Sequence, residues 1–377
     1  MALIKLLILD EDDEYSSNLC KYLTHNYSEK LLVNYCSNAF NIEEWIKKID
    51  PDILLVCEKF YNYVDGYFQK IKILFSSGKI KSDLKDITQI YKYKDVNKIA
   101  GDIINSYINA GNTISATKEK TTKTVAVYSA SGNAGKTSVA LGVSSLCSLS
   151  GLTVFYLNLE QFQTTGFFLS NNNDYSLSDI IYYAKEKDKN LVSKILTMGC
   201  KHPASNINYF REPNNAFEIN DLFPEDIELI LDGIKECGQY DLIVIDMDSR
   251  LDENTLKVFD IADDILYIMT EDEICLHKIG IFINNIEKLS GKLNQTSYLS
   301  SKFQFIANKV SIQTLHSSQE SFLNLKVLSK IPFDNNLTSI SKFFKLNGES
   351  ERIYSSFKEI AGRYIKRRLN NFETGPD

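Results

Sequence analysis

Between Ala130 and Thr137 the chain reads A-S-G-N-A-G-K-T, with an apolar run directly before it and an amphipathic stretch directly after. The fixed-spacing phosphate-loop pattern asks for Gly at position 130 and then for Gly135, Lys136 and Thr137, so every position but the first is met. Small residues let successive backbone N–H groups converge on phosphate oxygens, and the following helix adds the partial positive charge of its N-terminus. Lys136 then reaches the outer phosphates, and the Thr137 hydroxyl ligates Mg²⁺. A chance Gly-Lys-Thr in a loop is the competing reading. Against it stand the flanking strand and helix patterns and a carboxylate downstream. Y-D-L-I-V-I-D places Asp246 at the end of the apolar run Leu242 to Ile245, where Mg²⁺ is held through water. Ser131, Gly132, Asn133, Ala134, Gly135, Lys136, Thr137 and Ser138 form the candidate nucleotide cradle, with Thr137 and Asp246 as the metal-binding pair.

Such a loop needs a parallel sheet to hold it, and the apolar pattern supplies one. From position 124 onward, apolar runs fall at Thr124 to Tyr128, Thr153 to Leu157, Ile207 to Phe210, Leu242 to Ile245, Ile265 to Met269 and Phe303 to Ala307, with helical patterns between them. The helix after the loop is expected over Lys136 to Leu149, stopped by Gly151. The first hundred residues alternate in the same way, with runs at Leu6 to Leu9, Leu31 to Tyr35, Ile53 to Val56, Ile71 to Phe75 and Ile87 to Tyr91. Between the two series, Ala110 to Lys123 is rich in Thr, Lys and Ala and poor in large apolar residues. The expected organisation is a βα domain over 1–112, a linker over 113–122 and a doubly wound, mainly parallel-sheet P-loop domain over 123–377.

At 377 residues the chain has room for two sizeable cores, and 44% hydrophobic with 24% charged residues is the balance of an ordered globular protein. No apolar run approaches the roughly 18 residues of a membrane span, and no signal-peptide pattern opens the chain. Seven scattered cysteines, none spaced C-x-x-C, argue against a disulfide framework and against a zinc site. These features make a cytoplasmic protein the expectation. A formal charge of −7 argues against a protein whose main work is coating nucleic acid.

The loop resembles that of the MinD and ParA type of P-loop ATPase, whose variant signature is K-G-G-x-G-K-[ST]. Aligned on Gly135, Lys136 and Thr137, the signature lysine falls at Ser131 and the paired glycines at Gly132 and Asn133. In that family the upstream lysine crosses a sandwich dimer to the partner's nucleotide, so its absence implies a loss of hydrolysis. The family's second strand ends in D-x-D, the second Asp helping to orient the attacking water; here the place reads Asn158-Leu159-Glu160. After the metal-linked Asp the family shows Pro and Gly, where this chain has M-D-S-R from Met247 to Arg250. The resemblance implies catalytic roles for Lys136, Glu160 and Asp246, with ATP and Mg²⁺ as cofactors. F-Q-F-I-A-N-K from Phe303 to Lys309 resembles the strand whose Asn pairs with the adenine edge, which implies ATP over GTP through Asn308. I-P-F-D from Ile331 to Asp334 resembles the loop covering the base, adding Pro332 and Phe333 to the cofactor contacts.

K-L-L-I-L-D-E-D from Lys5 to Asp12 resembles the first strand of a response-regulator receiver, and P-D-I-L-L-V-C from Pro51 to Cys57 its third. Cys57 stands where the phosphoacceptor Asp would be, and a thiol forms no acyl phosphate; Glu58 comes one residue late. The acidic cluster Asp10 to Asp13 is expected to be a solvated loop. An atypical, flavodoxin-like receiver fused to a MinD-like ATPase resembles the TadZ/CpaE family, which localises the machinery of tight-adherence (Flp) pilus assembly. The resemblance implies a homodimer that binds ATP, hydrolyses it weakly, contacts pilus-assembly and secretion proteins, and is recruited to a cell pole or assembly site. The alternative is an active ParA/MinD-type partitioning ATPase. An iron-sulfur reductase on the same fold would need interface cysteines that the sequence does not place.

The apolar residues Phe357, Ile360, Ala361, Tyr364, Ile365 and Leu369 recur at helical spacing near Lys366, Arg367 and Arg368. Docking on its own sheet is the favoured reading of this tail over a membrane-surface helix. F-Q-T-T-G-F-F from Phe162 to Phe168 is the candidate dimer surface.

Overall fold

The computed structural model describes residues 3–28, 30–38, 40, 42–64, 66–78, 88–110, 122–169, 175–292, 301–316, 325–333 and 351–373. Most of the expected linker, Asp334 and the last four residues lie outside them. The chain divides into two compact units, Met1–Glu119 with Val192–Thr197, and Lys120–Leu191 with Met198–Asp377.

The first unit holds strands β1 (Ile4–Leu9), β2 (Leu31–Cys36), β3 (Ile53–Cys57), β4 (Ile71–Ser76) and β5 (Gln89–Tyr91). They pair in the order β2-β1-β3-β4-β5, every pair parallel. This is the flavodoxin-like order. Side chains of Leu7, Leu9, Leu54 and Val56 pack with Ile42, Val64 and Phe68 from the covering segments. The carboxyl ends of β1, β3, β4 and β5 bring Asp10, Cys57, Glu58, Ser76 and Lys92 to one edge. There the structure departs from the expectation of a solvated acidic loop. Asp10 is 1% exposed, and its Oδ2 pairs with the Lys92 ammonium at 2.8 Å. Burial pushes that ammonium down, but the bonds and charges of Asp10 and Asp12 outweigh it and hold the group above its ordinary value. The late Glu58 accepts hydrogen bonds from the Ser76 hydroxyl at 2.7 Å and the Ser77 hydroxyl at 3.3 Å.

The second unit contains β6 (Lys123–Tyr128), β7 (Val154–Asn158), β8 (Cys200–Lys201), β9 (Asn208–Tyr209), β10 (Leu242–Asp246), β11 (Asp264–Met269), β12 (Phe303–Val310) and β13 (Val327–Pro332). Their order is β13-β12-β11-β6-β10-β7-β9-β8, parallel except for the β8–β9 edge pair. The first strand of the unit, β6, therefore lies between β10 and β11, and the sheet is wound outward from it in both directions. Alternation sends Val125 and Val127 to one face and Tyr128 to the other. On the first face they meet Val139, Ala140 and Val143 of the helix Lys136–Leu149 and, beyond it, the helix Glu351–Glu373 through Ile353, Phe357, Ile360, Ala361 and Tyr364. The stripe from Phe357 to Ile365 is thus consumed by the core, and the side chain of Leu369 lies outside the described residues. On the second face Tyr128 packs against Phe259 and Phe282 with ring centroids 5.1 and 5.5 Å apart. Among the described residues no helix is long and apolar enough to cross a membrane. Sequence reading missed the two-residue β8 and the strand β13. Ile331 and Pro332, expected in a loop, instead close β13, and Phe333, 59% exposed, follows directly.

Candidate nucleotide site

In an open parallel sheet ligands sit beyond the carboxyl ends of the strands, at the point where the winding reverses. Here that point is the end of β6, and the loop A-S-G-N-A-G-K-T grows from it. Gly135 adopts φ +94°, a left-handed conformation that favours glycine, and caps the helix beginning at Lys136. A Cβ there would also lie 2.2 Å from Asn308 Nδ2, so the Asn308 amide would have to shift to admit any other residue. Asn133 is left-handed too, at φ +58°, a conformation that Asn tolerates better than most residues. Around Gly132 there is open space.

Neighbouring strand ends converge on the loop. Lys136 is buried, and its ammonium donates to Ser249 Oγ at 2.9 Å and lies 3.8 Å from Glu160 Oε1. The Thr137 hydroxyl donates to Glu160 Oε2 at 3.2 Å. Asp246 is completely buried at the end of β10; its Oδ2 accepts from the Tyr156 hydroxyl at 2.8 Å, while Oδ1 has no hydrogen-bond partner. Burial pushes the Asp246 carboxyl up to about 7, with the charge of Glu160 adding to the effect. Glu160 is raised as well, by burial, against the pull of Lys136. A fully buried carboxyl and a half-buried one that both resist ionising, beside a hydroxyl and an ammonium, form a site short of positive charge. A divalent cation beside Thr137 and Asp246 meets that shortage, and the Lys136 ammonium is placed to meet a polyphosphate, so the residues fit Mg²⁺ and a nucleotide.

The structure therefore brings Lys136, Thr137, Glu160 and Asp246 together. Ser131 is buried, its backbone N–H bonded to Ser129 Oγ at 3.1 Å and its own hydroxyl without a hydrogen-bond partner. Ala134 is buried and Ser138 half-buried in the first helical turn. The Asn308 amide nitrogen donates to the Ala134 carbonyl at 2.8 Å. Pro332 pairs with Val310, and the Phe333 N–H bonds the Val310 carbonyl at 2.9 Å, which keeps both beside the end of β12. Three participants escaped the sequence reading. Tyr156 looks like any core strand residue, and Ser249 carries only the signal of an unusual M-D-S-R. Lys309, whose ammonium reaches Asn133, was legible as a basic residue but not as a loop contact.

No protein-family model matches the chain, and no curated protein matches its sequence. Solved structures do match. MinD from Pyrococcus horikoshii, determined with Mg-ADP, superposes at TM-score 0.50 with 15% identity, covering 66% of this chain and 97% of its own. A ParA-family ATPase from Chlorobium tepidum does so at TM-score 0.50 with 17% identity, covering 64% and 97%. The MinC:MinD complex of Aquifex aeolicus gives TM-score 0.50 and 13% identity, covering 65% and 96%. With a parallel sheet wound outward from β6 and a phosphate loop at its carboxyl edge, the shared portion has the fold of the MinD and ParA P-loop ATPases.

Proposed function

We propose that the chain is an ATP- and Mg²⁺-binding positioning or assembly factor that turns nucleotide over slowly. The observation carrying this reading is the convergence of Lys136, Thr137 and the orphaned Asp246 Oδ1 beneath a left-handed Gly135. A MinD neighbour is described with Mg-ADP, which supports the same ligand class. Lys136 would bind the outer phosphates, and Thr137 and Asp246 would hold the metal, which when bound would offset the phosphate charge. Ser131 offers a neutral hydroxyl where the resembling ATPases carry a lysine, so the stabilising charge that lysine would bring is missing from the transition state. Glu160 remains as a carboxylate able to hold a water.

Joined to a receiver-like unit in which Cys57 replaces the phosphoacceptor, this site is consistent with the TadZ/CpaE-like role of a homodimeric platform for pilus-assembly proteins. Mg²⁺·ATP titration by calorimetry, alongside single-turnover hydrolysis, tests the reading. Micromolar binding with turnover far below one per second is expected. Turnover near the enzyme median of about 10 per second would instead favour an active partitioning ATPase.

A further inference from the structure

Two consecutive residues at the end of β12 reach across to the phosphate loop. The pairing of β12 with β13 loses register between Ala307 and Val310, and Lys309 sits in the left-handed region at φ +56°. That irregularity turns both side chains onto the loop. Asn308 Nδ2 donates to the Ala134 carbonyl at 2.8 Å in a buried contact. Lys309 Nζ donates to the Asn133 carbonyl at 2.7 Å and to the Asn133 side-chain oxygen at 3.1 Å, so a single residue grips it with both of its oxygens.

The consequence follows from peptide geometry. In a trans peptide the C=O and the N–H point in opposite directions. Drawing the carbonyls of Asn133 and Ala134 toward β12 therefore aims the N–H groups of Ala134 and Gly135 the other way, into the cradle where phosphate oxygens bind. Asn133 contributes twice, since its side chain tolerates the left-handed backbone and supplies an acceptor that glycine at this position would lack.

We infer that Lys309 is a positioning residue which, strapped to Asn133, orders the phosphate loop within one chain before nucleotide arrives. Its ammonium also adds positive charge at the outer side of a loop whose upstream position, Ser131, is neutral. The phosphate grip then needs no residue from a second copy. This inference rests on the nucleotide reading of the same loop, but its central claim concerns the nucleotide-free protein.

The test uses the full chain and the variants Lys309→Met, Lys309→Arg and Asn133→Gly. Amide exchange of the nucleotide-free protein over Ala134 and Gly135 is followed first, then ADP affinity by calorimetry. A charge-assisted hydrogen bond at an exposed site predicts about threefold faster exchange and about threefold weaker ADP binding for Lys309→Met. Asn133→Gly should show a smaller change, Lys309→Arg should restore most of the loss, and Lys309→Met in the Asn133→Gly background should add less than its effect alone. Lys309→Met that folds like the wild type, with loop exchange unaltered, overturns the strap. A wild type whose loop is protected but which binds neither ADP nor ATP overturns the nucleotide reading and leaves the strap standing.

Discussion

Asp246 bears a cost that a proton or a bound cation relieves, since its carboxyl is fully buried and one oxygen has no hydrogen-bond partner. With its carboxyl pushed up to about 7, the folded Mg²⁺-free protein keeps a proton that the unfolded chain releases near 4. The folded state binds more protons across that window, so stability falls as pH rises from about 4 through about 7. Asp246→Asn should therefore raise the unfolding free energy of the nucleotide-free protein near pH 8 by about 1–3 kcal/mol, and by roughly a third as much near pH 5. The same variant should lose Mg²⁺-dependent nucleotide binding. Denaturant unfolding at the two pH values decides, and a variant no more stable than wild type near pH 8 contradicts the assignment. Lys92 and Asp10 present the opposite case, a buried pair with side-chain exposures of 6% and 2%. Lys92→Met leaves Asp10 without a counter-charge and should cost about 3–5 kcal/mol, with Asp10→Asn in the same background restoring part of it. Independent effects would show that the two groups are not coupled.

The helix Lys136–Leu149 is almost wholly buried, with the sheet on one side and the helix Glu351–Glu373 on the other. Gly142 permits the second contact. A Cβ there would lie 2.4 Å from Phe357 Cε1 and 2.8 Å from Cδ1. Gly to Ala within a helix normally stabilises by about 1 kcal/mol through propensity. Here overpacking, at about 1–3 kcal/mol, should win. Gly142→Ala is expected to lower the midpoint of thermal unfolding, and Phe357→Leu in that background to recover it. A stabilised single variant would mean that the C-terminal helix can slide away at little cost.

At the scale of the whole molecule, the prediction concerns dimerisation. The carboxyl edge of the second sheet presents the phosphate loop, the Asn158 to Glu160 turn and the Met247 to Arg250 loop. Just past that turn, Phe162 and Phe167 are 78% and 73% exposed, while Phe168 packs on the core. Two exposed phenylalanines five residues apart motivate the expectation that copies of this chain meet here. Sedimentation of wild type and Phe162→Asp, with and without Mg²⁺·ATP, provides the check. A wild-type dimer that Phe162→Asp weakens at least tenfold is expected. A monomer at about tens of micromolar under both conditions would refute the dimer, and an unaffected variant would refute only this surface.

The linear order of residues was enough to determine the alternation of strands and helices apart from β8 and β13, the phosphate loop and the carboxylate at Asp246, because each is local: a two-residue period, a fixed spacing, a charge at the end of an apolar run. The helix Lys136–Leu149 and its stop at Gly151, which has φ +90°, were legible for the same reason. Lys92 on Asp10, Tyr156 on Asp246, Ser249 on Lys136 and Lys309 on Asn133 were not, since they join residues 82, 90, 113 and 176 positions apart. Such pairs exist only once strand order has been chosen. In a parallel sheet that order depends on how buried faces are shared among all the strands together, which no single segment encodes. Tertiary structure thus decided that Asp10 is buried rather than solvated, whereas the core-facing tail stripe from Phe357 to Ile365 was already the favoured reading of its helical spacing. It also decided which lysine attends the outer side of the phosphate loop.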